Sequence, residues 1–246
     1  MSEAVNDNGY TVTLTDRRLV AEGTMAFRFD KPAPFVFAPG QFVDLTLLQP
    51  SETDAAGNTR AFSIASAPQE STLMVATRLR DTAFKRELQR MPLGSTVRIE
   101  GPFGKLLLHT DQTRPAVFLS GGIGITPFRS MLVQAAMQQS SHRMVLFYSN
   151  RRPEDAPFLD ELQALQDKNP HYRFVGTMTE PAKSSHPWQG ETGYINAALL
   201  AKHLVNVDKP IYYVVGPPGM VGALRTMLKE ARIDDSDIRT EKFAGY

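Results

Sequence analysis

The chain has 246 residues, and its 27 basic and 26 acidic side chains leave a net charge of +1. This balance gives no electrostatic reason to expect a nucleic acid or an anionic membrane as a partner. The chain contains no cysteine, which excludes disulfides, thiolate zinc sites and cysteine-held iron–sulfur clusters within these residues. Its start lacks the basic-then-apolar order of a signal peptide, and no apolar run is as long as a membrane span. We therefore expect a soluble, cytoplasmic protein.

Short apolar runs fill the chain from Tyr10 to about Arg98, separated by clusters of proline, glycine, asparagine and aspartate. Evenly spaced short strands with little helix are typical of an antiparallel β-barrel. One segment, Asp81–Arg90, has a helical pattern, with Asp81 or Thr82 as its N-cap. The predicted strands are Thr11–Leu14, Thr24–Phe29, Phe42–Leu48, Phe62–Ser66, Leu73–Leu79 and Thr96–Glu100.

After Gly104 the rhythm changes to strands that alternate with helices, which indicates a parallel sheet flanked by helices. The predicted strands are Ala116–Leu119, Met144–Tyr148, Tyr172–Gly176 and Ile211–Val215. The predicted helices are Phe128–Gln139, Ala156–Lys168, Asn196–His203 and Met220–Ala231. We place the boundary near His109–Arg114, which gives a barrel domain over residues 1–112 and a nucleotide-binding α/β domain over residues 113–246.

The segment Pro115–Gln134 changes from a strand pattern to a helix pattern across a glycine cluster at positions 121, 122 and 124. Thr126 and Pro127 have the residue types of an N-cap and a first helical residue. Free backbone N–H groups at such a helix start can bind phosphate. The alternative is a tight strand-to-helix connection without a ligand. The dinucleotide fingerprint G-x-G-x-x-G is not met, because Pro127 stands where the third glycine would be.

Two segments of the barrel half have residue types that suit a flavin-like ligand. In Arg60–Ser63, the Arg60 guanidinium can bind a pyrophosphate, the Phe62 ring can stack on a planar ring, and the Ser63 hydroxyl can bond to a heterocycle edge. The alternative is an ordinary barrel strand with one solvated arginine and one core phenylalanine. Thr77–Lys85 ends a strand and begins a helix, whose free N–H groups would suit phosphate oxygens.

Three segments of the second half add possible ligand contacts. Tyr148–Arg152 follows the second parallel strand, where the adenosine half of a dinucleotide is reached in such sheets. Val214–Met220 is a strand-to-helix turn stiffened by two prolines, which can hold its shape beside a ligand. The end of the chain, Glu241–Tyr246, carries two aromatic rings and a carboxylate. Taken alone, the first two segments also fit a solvated loop and a rigid turn, and the aromatic tail is expected to pack against another part of the chain.

Read in this order, four of these segments resemble the motifs of the ferredoxin–NADP reductase family of flavoproteins. RAFS at 60–63 is similar to the flavin motif R-x-[YF]-S, and GGIGITP at 121–127 to G-G-x-G-x-T-P. VVGPPGM at 214–220 is similar to C-G-P-P-x-M, and EKFAGY at the end to the E-x-F tail. The match runs from about residue 40 to the end and implies the single-chain, two-domain form without an iron–sulfur domain.

The resemblance implies the roles of individual residues. Arg60 would hold the FAD pyrophosphate, Phe62 would lie against one face of the isoalloxazine ring, and Ser63 would approach its N5 atom. Glu241 and Phe243 would shape the nicotinamide side, so that Ser63 and Glu241 are the candidate catalytic residues. The other implied contacts to FAD are Ala61, Thr77, Arg78, Leu79, Thr82, Ala83, Phe84 and Lys85. The implied contacts around the nicotinamide nucleotide are Gly122, Gly124, Thr126, Pro127, Gly216, Pro217 and Met220.

The chain departs from the family pattern at three places. Phe62 stands where many members have tyrosine, which removes a hydroxyl group but keeps the stacking face. Val215 stands where many have cysteine, so no thiol can contribute to hydride transfer there. The tail continues three residues past Phe243 to Tyr246, so either aromatic ring could cover the flavin.

The resemblance implies that NAD(P)H gives a hydride to flavin N5 and that electrons then pass singly to ferredoxin or flavodoxin. Ser149 and Arg151 favour NADPH because they offer partners to a 2′-phosphate, and Arg225 or Lys229 could help. Against this, acidic side chains follow at positions 154 and 155. Two other functions stay open: an oxygenase reductase component or free-flavin reductase that uses NADH, and a nonenzymatic protein that holds FAD to relay electrons inside a complex.

The five histidines, at positions 109, 142, 171, 186 and 203, lack the close spacing of metal ligands. We therefore expect surface or capping roles for them and no metal site. Trp188 is expected to pack beneath a loop, with contact to an acceptor protein as the alternative.

Overall fold

The structure is a computed structural model that describes residues 9–243. Six strands of the first half form one antiparallel sheet in the order β4-β3-β6-β1-β2-β5. Past the end of β4, the backbone N–H of Ala65 donates to the carbonyl of Met74 in β5 at 2.7 Å, so the two ends of the sheet meet and close a barrel. The strands are β1 (Gly9–Ala21), β2 (Thr24–Asp30), β3 (Phe42–Leu47), β4 (Thr59–Ser63), β5 (Thr72–Arg78) and β6 (Thr96–Phe103), and helix α1 (Ala83–Arg90) follows β5.

The long strand β1 serves two neighbours. Its first part, from Gly9 to Thr13, pairs with β6, and its remainder pairs with β2 after a register shift beyond Leu14. Such irregularities bend a strand and help a sheet to close. Alternate side chains then point inward, and Phe27, Leu45 and Ile99 lie fully buried in the barrel core.

The prediction for β4 was wrong in its bounds. The strand runs from Thr59 to Ser63, because these residues pair with Thr46 to Phe42 of β3. The N–H of Ile64 still donates to the carbonyl of Gln41 at 2.9 Å, and the chain then turns away, so that Ala65 bonds to β5 instead. The apolar run after Phe62 therefore marks residues that are buried, but it does not mark the strand. The residues that pair with β3 include the polar Thr59 and Arg60 before Phe62.

The second half forms a six-stranded parallel sheet in the order β10-β9-β8-β7-β11-β12, which confirms the predicted barrel-then-parallel-sheet fold. Phe118 and Leu146 point to the face that α2 and α3 cover, whereas Leu119 and Phe147 point to the face covered by α4 and α5. The strands are β7 (Ala116–Gly121), β8 (Met144–Asn150), β9 (Tyr172–Met178), β10 (Glu191–Thr192), β11 (Ile211–Gly216) and β12 (Ile238–Lys242). The helices are α2 (Thr126–Met137), α3 (Leu159–Lys168), α4 (Ala197–His203) and α5 (Pro218–Glu230).

The sequence pattern missed β10 and β12, the two strands at the edges of this sheet. β10 has only two residues, and β12 has the sequence IRTEK with a single buried side chain, so neither contains an apolar run. The prediction for α3 began too early, because Phe158 has a left-handed backbone and the helix starts only after it. Trp188 packs over Gly176 and Gly190, as expected for a residue beneath a loop.

The barrel and the parallel sheet share buried apolar contacts. One core cluster joins Ala65 and Met74 of the barrel half to Phe128 and Met131 of α2. In residues 9–243, no helix is both long enough and apolar enough to cross a bilayer.

Candidate functional site

A cavity of about 400 Å³ lies between the barrel and the carboxyl end of the parallel sheet. The sheet contributes Ile123 and Thr126 from the glycine turn, and Glu241 to Phe243 from β12 and the residue after it. The barrel contributes Phe42, Arg60, Ala61, Phe62, Ser63, Ala76, Thr77, Arg78, Thr82 and Lys85. The structure therefore brings the two motifs at 60–63 and 121–127 to one space.

Strand β4 supplies one wall of this cavity. Phe62 is 9% exposed, and its ring lies 5.9 Å from that of Phe84 at the edge of the barrel core. The predicted contact Phe84 does not line the cavity, because its side chain is buried in the barrel core, and Ala83 is buried beside it. Leu79 also lies outside the cavity wall. An apolar residue that follows a helix cap is drawn into the core, which accounts for the burial of Ala83 and Phe84.

Cationic groups converge on the barrel side of the cavity. The Arg60 guanidinium donates to the carbonyl oxygens of Ala56, Gly57 and Thr59 at 2.8–2.9 Å and pairs with Asp54 at 3.2 Å. Burial lowers the pKa of Lys85, and the nearby charges of Arg80 and Arg60 lower it further. Because these cations repel each other, an anion that binds between them is stabilised.

Helix α1 begins beside these cations, as predicted. Thr82 is its N-cap, and its hydroxyl accepts the backbone N–H of Lys85 at 3.4 Å. The positive end of the helix dipole adds to the anion-binding character of this wall. Arg78, at the end of β5, donates to the carbonyl of Asp155 at 3.0 Å and so links the barrel to the sheet domain.

The glycine segment forms a 3₁₀ turn over Gly122–Ile125 that runs directly into α2. The prediction that Thr126 is the N-cap was wrong, because the preceding residue, Ile125, already has helical dihedral angles. The Thr126 hydroxyl instead donates to the carbonyl of Ile123 at 3.1 Å. Pro127 lies in the first turn, where a missing N–H does no harm.

One glycine of this segment, Gly124, is needed for packing. A Cβ atom on Gly124 would lie 2.6 Å from the carbonyl oxygen of Val215 and 2.8 Å from the Cα of Gly216. A Cβ atom on Gly121 would collide with the sulfur of Met220. The turns after β7 and β11 therefore touch, which accounts for Gly124, whereas the flexible Met220 side chain could move away from a Cβ atom on Gly121. The other predicted contacts around the nicotinamide nucleotide do not line the cavity: Gly122, Gly124, Pro127, Gly216, Pro217 and Met220.

Glu241 lies in the cavity wall because β12 pairs with β11, which places Val215 beside Glu241. The backbone N–H of Phe243 donates to the carbonyl of Gly216 at 3.1 Å and fixes the residue that follows β12. Burial raises the pKa of Glu241, and among the described residues its carboxylate has no hydrogen-bond or ion-pair partner. Such a carboxyl group is suited to hold a proton inside the site. Tyr246 lies outside the described residues.

The residues predicted to contact a 2′-phosphate lie apart from this cavity, at the carboxyl end of β8. Ser149 is half-buried, and Arg151 is exposed with no side-chain partner in residues 9–243. Arg152 is held instead, by Glu154 at 3.3 Å and Asp155 at 2.8 Å.

Four residues of the cavity wall were missed from the sequence: Phe42, Ala76, Ile123 and Lys242. Phe42 pairs directly with Ser63 across β3 and β4, so a correct strand register would have placed it at the site. Ile123 lies inside the quoted glycine motif, at a variable position. Lys242 likewise occupies the variable position of the quoted E-x-F tail, and nothing in the local sequence marks Ala76.

The family models described as an oxidoreductase FAD-binding domain and an oxidoreductase NAD-binding domain match residues 11–107 and 118–226. The toluate 1,2-dioxygenase electron transfer component of Pseudomonas putida is 27% identical, over 96% of this chain and 68% of its own length. A component of the Na(+)-translocating NADH-quinone reductase of Methylococcus capsulatus is 29% identical, over 76% of this chain and 49% of its own length. The chain thus spans about half to two thirds of the length of these relatives.

Solved structures show the same fold. A ferredoxin NADP+ reductase from Neisseria gonorrhoeae with bound FAD and NADP has a TM-score of 0.76 at 23% identity and covers 96% of this chain and 98% of its own. An Amycolatopsis cytochrome P450 reductase has a TM-score of 0.80 at 22% identity, over 96% and 69%. With both domain models matched in chain order, this protein belongs to the FAD-dependent oxidoreductases, and its fold is that of the ferredoxin NADP+ reductase structure.

Proposed function

We propose that this protein is an FAD-dependent reductase that oxidises NADPH and passes electrons to a separate one-electron carrier, ferredoxin or flavodoxin. Residues 1–112 would hold FAD, and residues 113–246 would hold the nicotinamide nucleotide. The observation that carries the proposal is the cavity that both halves line together. A planar ring against Phe62 and a nucleotide beside Thr126 would share this space, and hydride transfer requires such proximity.

The barrel wall suits FAD in charge and shape. Arg60, Lys85 and the first turn of α1 would hold the pyrophosphate, because cations and the helix dipole converge there. Phe62 would support one face of the ring. When bound, the flavin supplies the redox chemistry, since it can accept two electrons together and release them one at a time.

Two side chains would act at the reacting atoms. The Ser63 hydroxyl would donate a hydrogen bond to the ring edge near N5, which it can reach from the last position of β4. Glu241, with its raised pKa, would hold a proton beside the nicotinamide pocket, while Phe243 excludes water.

An absorption spectrum of the purified protein, followed by titration with NADPH without air, tests the proposal directly. We expect a flavin spectrum that bleaches in proportion to the NADPH added. Protein that neither binds FAD nor reduces a dye with NADPH when FAD is supplied would refute the proposed function.

The charges near Arg151 support NADPH over NADH. Arg152 neutralises the two carboxylates that would repel a 2′-phosphate, while Arg151 keeps no partner in the described chain. Arg225 and Lys229 are both paired with Asp235, so they contribute less than the sequence suggested. A phosphate bound by one free arginine favours NADPH by about 1.5–3 kcal/mol.

Substitution of Arg151 tests this preference. In Arg151→Ala we expect the ratio of kcat/KM for NADPH to that for NADH to fall about tenfold or more, because the 2′-phosphate loses its cation. Arg225→Ala is the matched control, and its ratio should stay near that of the unmodified protein. An unchanged ratio in Arg151→Ala would remove this residue from nucleotide selection.

A second candidate function is the reductase component of a multicomponent oxygenase, or a free-flavin reductase, that uses NADH. Relatives named as electron transfer or reductase components of oxygenases favour it. An iron–sulfur acceptor would have to lie outside these residues, because the chain has no cysteine. Parallel assays with ferredoxin, flavodoxin and free FMN distinguish the candidates, and absence of any turnover would indicate a nonenzymatic relay protein.

A further inference from the structure

Arg129 is an arginine buried between the two domains. It lies on α2, one turn after the cavity residue Thr126, and is only 1% exposed. A buried guanidinium is costly unless every donor is satisfied. Arg129 meets this condition, since all three of its side-chain nitrogens make hydrogen bonds.

On the barrel side, Arg129 bonds to the segment that directly follows the RAFS motif at 60–63. Its Nη1 atom donates to the carbonyl of Ala65 at 2.6 Å and to Glu70 at 2.9 Å. Ala65 lies two residues after Ser63. The next residue of α2 makes a second link, because the Ser130 hydroxyl donates to the carbonyl of Ser66 at 2.7 Å.

On the sheet-domain side, a second carboxylate and a ring fix the guanidinium plane. Glu161 accepts from Nε at 2.8 Å and from Nη2 at 2.5 Å, and the Phe158 ring lies 5.1 Å away. Phe158 has a φ of +60°, a rare conformation for a bulky residue, and its N–H donates to the carbonyl of Val20 in the barrel at 3.3 Å. The guanidinium is therefore held from both domains.

Buried ion pairs add little net stability but define geometry, because a planar fork bound on both sides has one orientation. We infer that Arg129 is a positioning residue: by tying the segment after Ser63 to the helix that begins at Thr126, it sets the gap across which hydride moves. This inference rests on the proposed function. Displacement of reacting groups by about 1 Å can slow such a step by about two orders of magnitude.

The test uses the full chain loaded with FAD and compares Arg129→Met, Arg129→Lys and the unmodified protein. We expect Arg129→Met to reduce the flavin about 10- to 100-fold more slowly at saturating NADPH, with the nucleotide Kd changed by less than about threefold. The primary deuterium isotope effect on flavin reduction should rise, since a loosened gap makes the transfer step harder. Arg129→Lys keeps the positive charge but loses the planar guanidinium. Its rate constant for flavin reduction should lie between those of the unmodified protein and Arg129→Met.

Arg114→Met is the matched control. Arg114 also bonds to a carbonyl, that of Lys209, and pairs with Asp237 at 2.8 Å, but both partners belong to the sheet domain. Its rate constant and isotope effect should equal those of the unmodified protein. If Arg129→Met does not fold, Ser130→Ala breaks the second link alone and should slow flavin reduction several-fold at unchanged Kd.

The outcomes separate the two proposals. If the unmodified protein binds no FAD or is not reduced by NADPH or NADH, the proposed function fails. If it is reduced normally but folded Arg129→Met and Ser130→Ala match its rate constant and isotope effect, the positioning role of Arg129 is overturned. A slower rate explained wholly by weaker nucleotide binding also overturns it.

Discussion

Glu241 has unusual chemistry for a glutamate because of where β12 places it. Its carboxyl group lies in the cavity wall, burial raises its pKa, and no described residue bonds to it. Phe62, by contrast, lines the same cavity with an uncharged ring. A side chain with an ionisable group depends on its surroundings far more than an aromatic ring does.

Glu241→Gln tests the raised pKa through the free energy of unfolding. A carboxyl group whose folded pKa exceeds its unfolded value of about 4.5 binds more protons when folded, so stability is lost as pH rises through that range. We expect flavin-free Glu241→Gln to be more stable than the unmodified protein at pH 8 and equal to it near pH 4. Urea unfolding at both pH values measures this, with exposed Glu230→Gln as the control. If Glu241→Gln raised the free energy of unfolding by the same amount at both pH values, the raised pKa of Glu241 would be contradicted.

The glycine turn and the proline turn act as one packed unit at the carboxyl ends of β7 and β11. Gly124 lets the two turns touch, and the contact places Ile123 and Thr126 at the cavity. The sequence left open whether the glycines serve phosphate or only a tight connection between strand and helix. In the structure, Gly124 allows the close packing of the two turns, and this packing positions the ligand wall.

Gly124→Ala tests this packing. The added Cβ would lie within 2.8 Å of Val215 and Gly216 backbone atoms, which cannot move aside as a flexible side chain could. We expect a loss of about 1–3 kcal/mol in the free energy of unfolding, measured with urea. Gly222→Ala in α5 is the matched control. Its Cβ meets nothing within 4 Å, so it should gain up to about 1 kcal/mol from helix propensity.

The contact between the two domains combines apolar packing with a buried ion network. Glu70 from the barrel half and Glu161 from α3 both pair with Arg129. Burial alone would raise the pKa of Glu70, but the hydrogen bond and charge of Arg129, the N–H of Ala67 and the charge of Arg28 together lower it. The interface is therefore strongest when Glu70 is ionised.

Glu70→Gln should weaken this interface in a pH-dependent way. Because the folded pKa of Glu70 is below its unfolded value of 4.5, its contribution is complete above that value and is lost as pH falls. We expect a loss of roughly 2 kcal/mol near pH 7, less than for a fully buried pair because Glu70 keeps some solvent exposure. Unfolding by urea at pH 7 and pH 4 measures the difference, which should shrink at pH 4. Glu180→Gln, which breaks an exposed pair with Lys183, should cost less than about 0.5 kcal/mol at either pH.

Local information was enough to predict most elements and the segments that supply most of the cavity wall. Apolar periodicity identified the barrel strands and the alternating half, because burial on one or both faces leaves its period in the sequence. Motif spacing identified the segments at 60–63, 121–127, 214–220 and 241–243. Thr82 was among the predicted N-caps of α1 for a local reason, since capping involves only neighbouring residues.

Long-range contacts decided the rest. The bounds of β4, the edge strands β10 and β12, and the cavity role of Phe42 all depend on which strand lies alongside, and pairing partners are distant in sequence. Arg129 lies in a helix and belongs to no motif, so only the folded chain shows its hydrogen bonds to Ala65 and Glu70. A buried charge is compatible with folding only where distant groups satisfy it, and such partners leave no periodic signal in the sequence.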